Sequence, residues 1–209
     1  MKLASLMTAF ASLAIASSAS AVTVGNTFEF TATGGTISDG GIAAYPLFMN
    51  GTVPQISSIE LEINGLTHST PWDLDMYLVN PAGTVLEILT DQGDQNPVTG
   101  ADLLFRDSGS ALPLNPDDPL DGPPYSNGAV VPEGEVTLNG SVIGNGFGDA
   151  FVGASGGTDA WILLVIDDVA NQKGGSIDSY TLRGTFVPEP MSLSLLAVGA
   201  LAVFRRRKR

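Results

Sequence analysis

The chain contains no cysteine. Thiol catalysis and cysteine-ligated zinc are therefore excluded, and no disulfide is available, so a folded body must rely on an ordinary hydrophobic core. Basic residues are nearly as scarce once the two ends are set aside. Between Val22 and Pro190 the only cations are Arg106, Lys173 and Arg183, against 22 carboxylates, a balance of −19. Such a surface repels nucleic acid and anionic lipid, so neither is an expected partner of the body. There is one histidine, His68, and there are two tryptophans, Trp72 and Trp161. Nowhere in the body does an apolar pattern of helical period persist for a dozen residues, which argues against a helical fold.

What is present begins with two strongly marked ends. Lys2, an apolar run from Leu3 to Ile15 and the small-residue site Ala19-Ser20-Ala21 form a secretory signal, with cleavage expected after Ala21. At the other end Pro188-Glu189-Pro190 precedes an uncharged stretch from Met191 to Phe204, followed by Arg205-Arg206-Arg207-Lys208-Arg209. A helix over that stretch is about 21 Å long, short of the ~30 Å hydrocarbon core but able to span with snorkelling basic residues and local thinning. The five cations hold the C-terminus on the cytoplasmic side, so the body faces outward. An amphipathic surface helix would need a polar face, and this run offers only serines.

Pro-Glu-Pro, a short apolar helix and a terminal Arg/Lys cluster, in that order at the extreme C-terminus, resemble the PEP-CTERM sorting signal of Gram-negative bacteria that make exopolysaccharide. The resemblance implies recognition by an exosortase-type transpeptidase, removal of the tail after transient anchoring in the inner membrane, and delivery to the cell surface or matrix, with exopolysaccharide as a partner. No LPxTG precedes the tail, and a GPI signal lacks the basic end.

The body, residues 22–187, reads as one all-β domain. Short runs near Thr27 to Thr31, Ile56 to Ile63, Leu74 to Val79, Thr84 to Leu89, Leu103 to Phe105, Glu135 to Leu138, Trp161 to Ile166 and Ser179 to Phe186 are rich in β-branched or aromatic residues. Gly, Pro, Asn and Asp clusters separate them. Asn64-Gly65 and Asn139-Gly140 are expected to make tight hairpins. Ile59-Glu60-Leu61-Glu62-Ile63 alternates, placing three aliphatics on one face. Trp161 to Ile166 is apolar on both faces, which predicts a central, doubly covered strand. Ala111 to Glu133, loaded with Pro, Asp and Gly, reads as a long excursion. A single antiparallel sandwich or jelly roll follows, with Leu74, Met76 and Leu78 expected to face the Trp161 strand across the core.

The order of Leu66-Thr67-His68, Asp73 to Leu78, Asn80 to Thr84, Asp149 to Gly153, Trp161 to Asp167 and Gly174 to Leu182 is similar to the P-domain of proprotein convertases. That resemblance covers most of the body and implies a galactose-binding-like jelly roll. Tyr180 stands where the family usually has Trp, an acidic insertion surrounds Asp117 to Asp121, and no protease domain is present. In convertases the domain mainly supports its neighbour.

Signals for catalysis are weak. Gly153-Ala154-Ser155-Gly156-Gly157 fits G-x-S-x-G, but that elbow needs a following helix and a later histidine. His68, Asp73 and Ser108 follow the order of a chymotrypsin-type triad, yet Arg106 sits where that family has Gly. His68 is expected to pack or hydrogen-bond at a strand end instead. Carboxylates are numerous enough to supply glycosidase-like pairs, which makes their presence uninformative. Oxygen ligands on loops make calcium the expected small partner, with Asp73, Asp75, Asp167 and Asp168 the leading candidates. No EF-hand or tandem RTX repeat accompanies them. The function expected from these features is a noncatalytic envelope or matrix module; the rival is a small secreted hydrolase acting on matrix polysaccharide or peptide.

Overall fold

A computed structural model describes residues 20–49, 54–91, 96–110, 142–143, 146–154, 160–171 and 173–187. The apolar parts of the signal and the tail, the excursion from Ala111, the Glu135 run and Asn139-Gly140 lie outside them. Ten strands are described: β1 (Ser20–Val24), β2 (Thr27–Ile37), β3 (Ile42–Phe48), β4 (Ile56–His68), β5 (Leu74–Val79), β6 (Val85–Thr90), β7 (Val98–Ser110), β8 (Val142–Ile143), β9 (Ala160–Asp167) and β10 (Gly175–Phe186). A 3-10 turn, Pro71–Asp73, and one short helix, α1 (Phe147–Phe151), complete the set.

The strands form two five-stranded sheets, ordered β1-β2-β10-β4-β7 and β3-β9-β5-β6-β8. Every pairing is antiparallel except that of β6 with the two-residue β8. The all-β sandwich expected from the pattern is the observed architecture. In β4, Ile59, Leu61 and Ile63 are buried while Glu60 and Glu62 point outward, as the alternation requires. β9 is an interior strand with Trp161, Leu163 and Val165 fully buried on the core side and Leu164 and Ile166 buried on the other.

Two expectations need correction. Leu74, Met76 and Leu78 do not oppose the Trp161 strand across the core. β5 is its hydrogen-bonded neighbour, with Met76 paired to Val165 and Leu78 to Leu163. Both strands present the same inward face, and the other sheet supplies the opposing Phe28, Phe30, Leu61, Phe105, Tyr180 and Leu182. Asn64-Gly65 is not a hairpin either, because β4 runs straight through it. Gly65 has φ +68° at a shift in register between β4 and β7, and its N–H bonds Asp102 Oδ1 at 2.9 Å. The Asn-Gly pair thus makes a bulge, which uses the same left-handed glycine that a hairpin would.

The expected signal cleavage point falls inside β1. A mature chain starting at Val22 keeps the pairs Val22–Glu29, Thr23–Phe28 and Val24–Thr27.

Tyrosines lock the two sheets together. Tyr180, fully buried on β10, donates to the Tyr45 carbonyl of β3 at 2.9 Å, and Tyr45 donates to the Thr36 carbonyl of β2 at 3.1 Å. Burial pushes the Tyr45 hydroxyl up to about 12 and that of Tyr180 well above its ordinary value. Tyr77 rises for the same reason, reinforced by the charges of Asp75 and Glu87. A raised folded-state pKa stabilises the fold fully below the unfolded phenol value near 10 and loses that contribution as pH climbs toward the folded values. Phenolate absorbance from these three tyrosines is therefore expected to rise together with loss of β-sheet circular dichroism above pH 10. Ionisation of two or more of them in an intact fold would contradict the hydrogen-bonded burial.

Candidate functional site

The two ends of the sandwich differ in chemistry, and each gathers a set of polar groups. At one end the chain passes from β4 through the 3-10 turn into β5, while the loop between β9 and β10 crosses above. His68, the last residue of β4, points inward and is fully buried. Its Nε2 lies 3.2 Å from Asp167 Oδ2 at the end of β9, and its Nδ1 lies 2.8 Å from the Thr70 carbonyl. Neither side chain of the pair is exposed. Burial raises the Asp167 pKa, opposed by the Gly40 amide and by His68. With no solvent-exposed atom, the His68 ring is placed to clamp the two sheets together.

Around this pair the loop supplies its own partners. Asn171 Nδ2 donates to Asp73 Oδ2 at 2.6 Å, Lys173 Nζ donates to Thr70 Oγ1 at 2.8 Å, and Asp39 Oδ1 accepts from the amides of Asn171 and Lys173 at 3.0 and 2.8 Å. Two of the four calcium candidates, Asp73 and Asp167, thereby have protein partners for their carboxylates. Asp73 holds Asn171, Asp167 holds His68 and the Val169 amide, and the Asp168 amide donates to the Asp73 carbonyl at 3.2 Å. Asp75 is elsewhere: it sits in β5 opposite Thr90 and Ile166, on the sheet face of Tyr77. Among the described residues no group of three or more His, Asp or Glu side chains converges on a point where a metal ion could sit. Asp73, Asp167 and Asp168 share an end of the molecule while Asp75 lies on the outer sheet face, and the four do not form one ligand set among the described residues.

The triad read from chain order is not assembled. His68 pairs with Val98 of β7, and Ser108 lies ten residues farther along that strand, about 33 Å away at ~3.3 Å per residue. Ser155 lies outside the described residues, but its flanks are α1 before and β9 after. A nucleophile elbow requires the reverse order, strand then helix.

The opposite end is where the chain leaves the sandwich. Phe186 closes β10, stacked on Phe28 with ring centroids 4.6 Å apart, and the Val187 amide donates to the Gln55 carbonyl at 2.7 Å. Beside this exit an open depression of about 610 Å³ is lined by Ser57, Ser58, Thr185, Arg106, Arg183 and Val152, among others. Three hydroxyls meet there, Thr185 Oγ1 lying 2.7 Å from both Ser57 Oγ and Ser58 Oγ. Arg183 pairs with Glu60 and Glu62. Asp107 caps α1, accepting from the amides of Phe147 at 2.6 Å and Gly148 at 2.9 Å. Arg106 has no hydrogen-bond or ion-pair partner among the described residues, and its Nε is buried. The sequence held one signal for Arg106 and Lys173, their rarity, and none for Thr70 or Asn171.

Pro188, Glu189, Pro190 and the cations Arg205, Arg206, Arg207, Lys208 and Arg209 lie outside the described residues, as does the apolar stretch between them. Among the described residues no helix is long and apolar enough to cross a membrane.

Comparison with known proteins identifies one element. Residues 186–209 match the PEP-CTERM protein-sorting motif. That motif supports an exported protein handed to an exosortase at the membrane, and it covers the C-terminal segment alone. No curated protein sequence matches the chain. Among solved structures, the chain is similar to the serine protease of Aeromonas sobria in complex with the chaperone ORF2, at 17% identity and a TM-score of 0.40. A second structure of the Aeromonas sobria protease matches at 16% identity and the same TM-score of 0.40. Both alignments cover 81% of this chain but 27% of the protease, so the chain spans about a quarter of that protein's length. At that score the likeness carries no argument about activity.

Proposed function

We propose that this protein is a noncatalytic module of the envelope or matrix of a Gram-negative bacterium, exported through its N-terminal signal and released by an exosortase that cuts near Pro188-Glu189-Pro190. The matched sorting motif at residues 186–209 carries this reading. Prolines at 188 and 190 resist helix and strand alike, so the peptide between body and bilayer stays extended and open to an enzyme. Two observations support a passive role: the one histidine is sealed inside the sandwich, and Ser108 lies ten residues along β7 from the position paired with it. The resemblance to the convertase P-domain points the same way. Intact-mass measurement on protein extracted from the cell surface is expected to show a chain that has lost the segment from Met191 to Arg209. A mature chain ending in Arg209 would make the tail a permanent anchor. Turnover of glycosidic or ester substrates by the purified body would favour the hydrolase reading instead.

Calcium belongs to this proposal as a stabilising ion. A site present only in the folded state adds about 2.7 kcal/mol at 100 Kd. Because Asp73 and Asp167 already serve Asn171 and His68, Asp73→Asn and Asp167→Asn are expected to leave unchanged the shift in melting temperature between EDTA and millimolar calcium. Loss of that shift in either variant would place the ion at the His68 end, and equal melting curves for the unaltered protein would leave the acids as surface charge.

A further inference from the structure

The sorting segment has no linker. β10 is a middle strand of its sheet and remains paired to Phe186, Val187 is still hydrogen-bonded to Gln55, and the next residue is Pro188. From Val187 to Met191, where the apolar stretch begins, the chain advances four residues, at most about 14 Å even when fully extended. The body is about 36 Å long in the same direction, judged from the twelve residues of β10. A rigid sandwich on so short a tether cannot tumble freely above the bilayer.

We propose that, while the tail is inserted, the sandwich stands on the membrane by its exit end, with Val152, Val187 and Arg106 against the lipid surface. This rests on the reading of the tail as a membrane segment. The exit end suits such contact. Of the five exposed large hydrophobic side chains among the described residues, three lie at this end, Phe48, Val152 and Val187, and two, Ile42 and Val169, lie at the other. Arg106 lines the same depression as Val152 and is the one body cation without a partner among the described residues, free to meet headgroup phosphates. Two of the three carboxylates lining the depression are engaged, Glu60 with Arg183 and Asp107 with the α1 amides, and the third, Glu29, is exposed beside them. The aspartates at 39, 73, 167 and 168 crowd the far end, where distance removes their repulsion from anionic lipid. An enzyme reaching the tripeptide must then enter sideways, between the sandwich and the bilayer.

The absence of cysteine makes a direct test clean. Single-cysteine variants of the tail-bearing chain, Val152→Cys at the exit end, Val169→Cys at the far end and Ser192→Cys in the tail, would carry a fluorophore in vesicles of phosphatidylcholine with a minority of phosphatidylglycerol. Nitroxide lipids labelled at the headgroup act as quencher. Quenching several-fold stronger at position 152 than at 169, with position 192 also quenched, is the expected result. Equal quenching at 152 and 169 with a quenched tail overturns the proposal and leaves insertion intact. An unquenched tail overturns insertion and the proposal with it. A spacer of about a dozen Gly and Ser residues after Val187, reaching roughly 20 Å as a coil, is expected to abolish the contrast. Its persistence would show that the short connection is not what holds the body down.

Discussion

Replacing Trp161 by alanine is expected to destabilise the sandwich by about 3–5 kcal/mol. The side chain is fully buried at the start of β9, beside Leu47 of β3 in the register. Phe151 meets its ring edge-on, with centroids 4.9 Å apart at 70°. Through that contact and through the fully buried Phe147, α1 joins the core, and α1 is itself held in place by Asp107 of the opposite sheet. Truncation therefore opens a cavity bordered by both sheets and the helix, and its walls are hydrogen-bonded strands that cannot close far around it. The loss is a large share of the 5–15 kcal/mol typical of a domain. Urea unfolding followed by far-ultraviolet circular dichroism gives the value. A cost below about 1 kcal/mol would be that of a surface position and would remove Trp161 from the core.

The parts of this molecule legible in the sequence are those set by local pattern. β5 and β9 were visible as runs, and β4 as an alternation, because one or both of their faces are buried and their neighbours in sequence say so. β3 was missed because Pro46 interrupts it, and proline argues against an interior strand. β3 turns out to be the edge strand of its sheet, where a missing N–H is tolerated. β7 was seen only at Leu103 to Phe105, since its outward residues are the polar ones of a solvated face. The partnering of β5 with β9 could not be read at all. Period tells which face of a strand is apolar, not which strand lies beside it, and 80 or more residues separate the two.

The same distinction governs the functional reading. A sorting signal is linear, so composition in sequence order was enough to identify the tail. The cluster at the far end is assembled from β4, the 3-10 turn, β9 and the following loop, and no spacing rule brings His68 to Asp167 across 99 residues. Asp73 and Asp167, two of the calcium candidates in the sequence, are acceptors for Asn171 and His68 in the fold.

Substituting His68 by alanine is expected to cost about 3–5 kcal/mol at neutral pH, because it leaves Asp167 buried without its partner. The sheets would lose the ring that joins the end of β4 to the end of β9, but the larger part of the cost is the stranded carboxylate. That part depends on pH. Burial already raises the Asp167 pKa while His68 opposes the rise, so removing the imidazole moves it farther up. A carboxyl whose folded-state value lies above its unfolded value near 4 favours the fold at low pH and loses that contribution as pH rises through the folded value. The deficit of the His68→Ala variant should therefore shrink as the solution is acidified from neutrality toward the raised value. The double variant His68→Ala with Asp167→Asn removes the stranded charge and should be more stable at pH 7 than His68→Ala by itself. Urea titrations of the four proteins across pH 4 to 8 close the cycle. A deficit independent of pH, together with additive single effects, would mean that Asp167 finds water in the variant and that the pair contributes shape rather than charge.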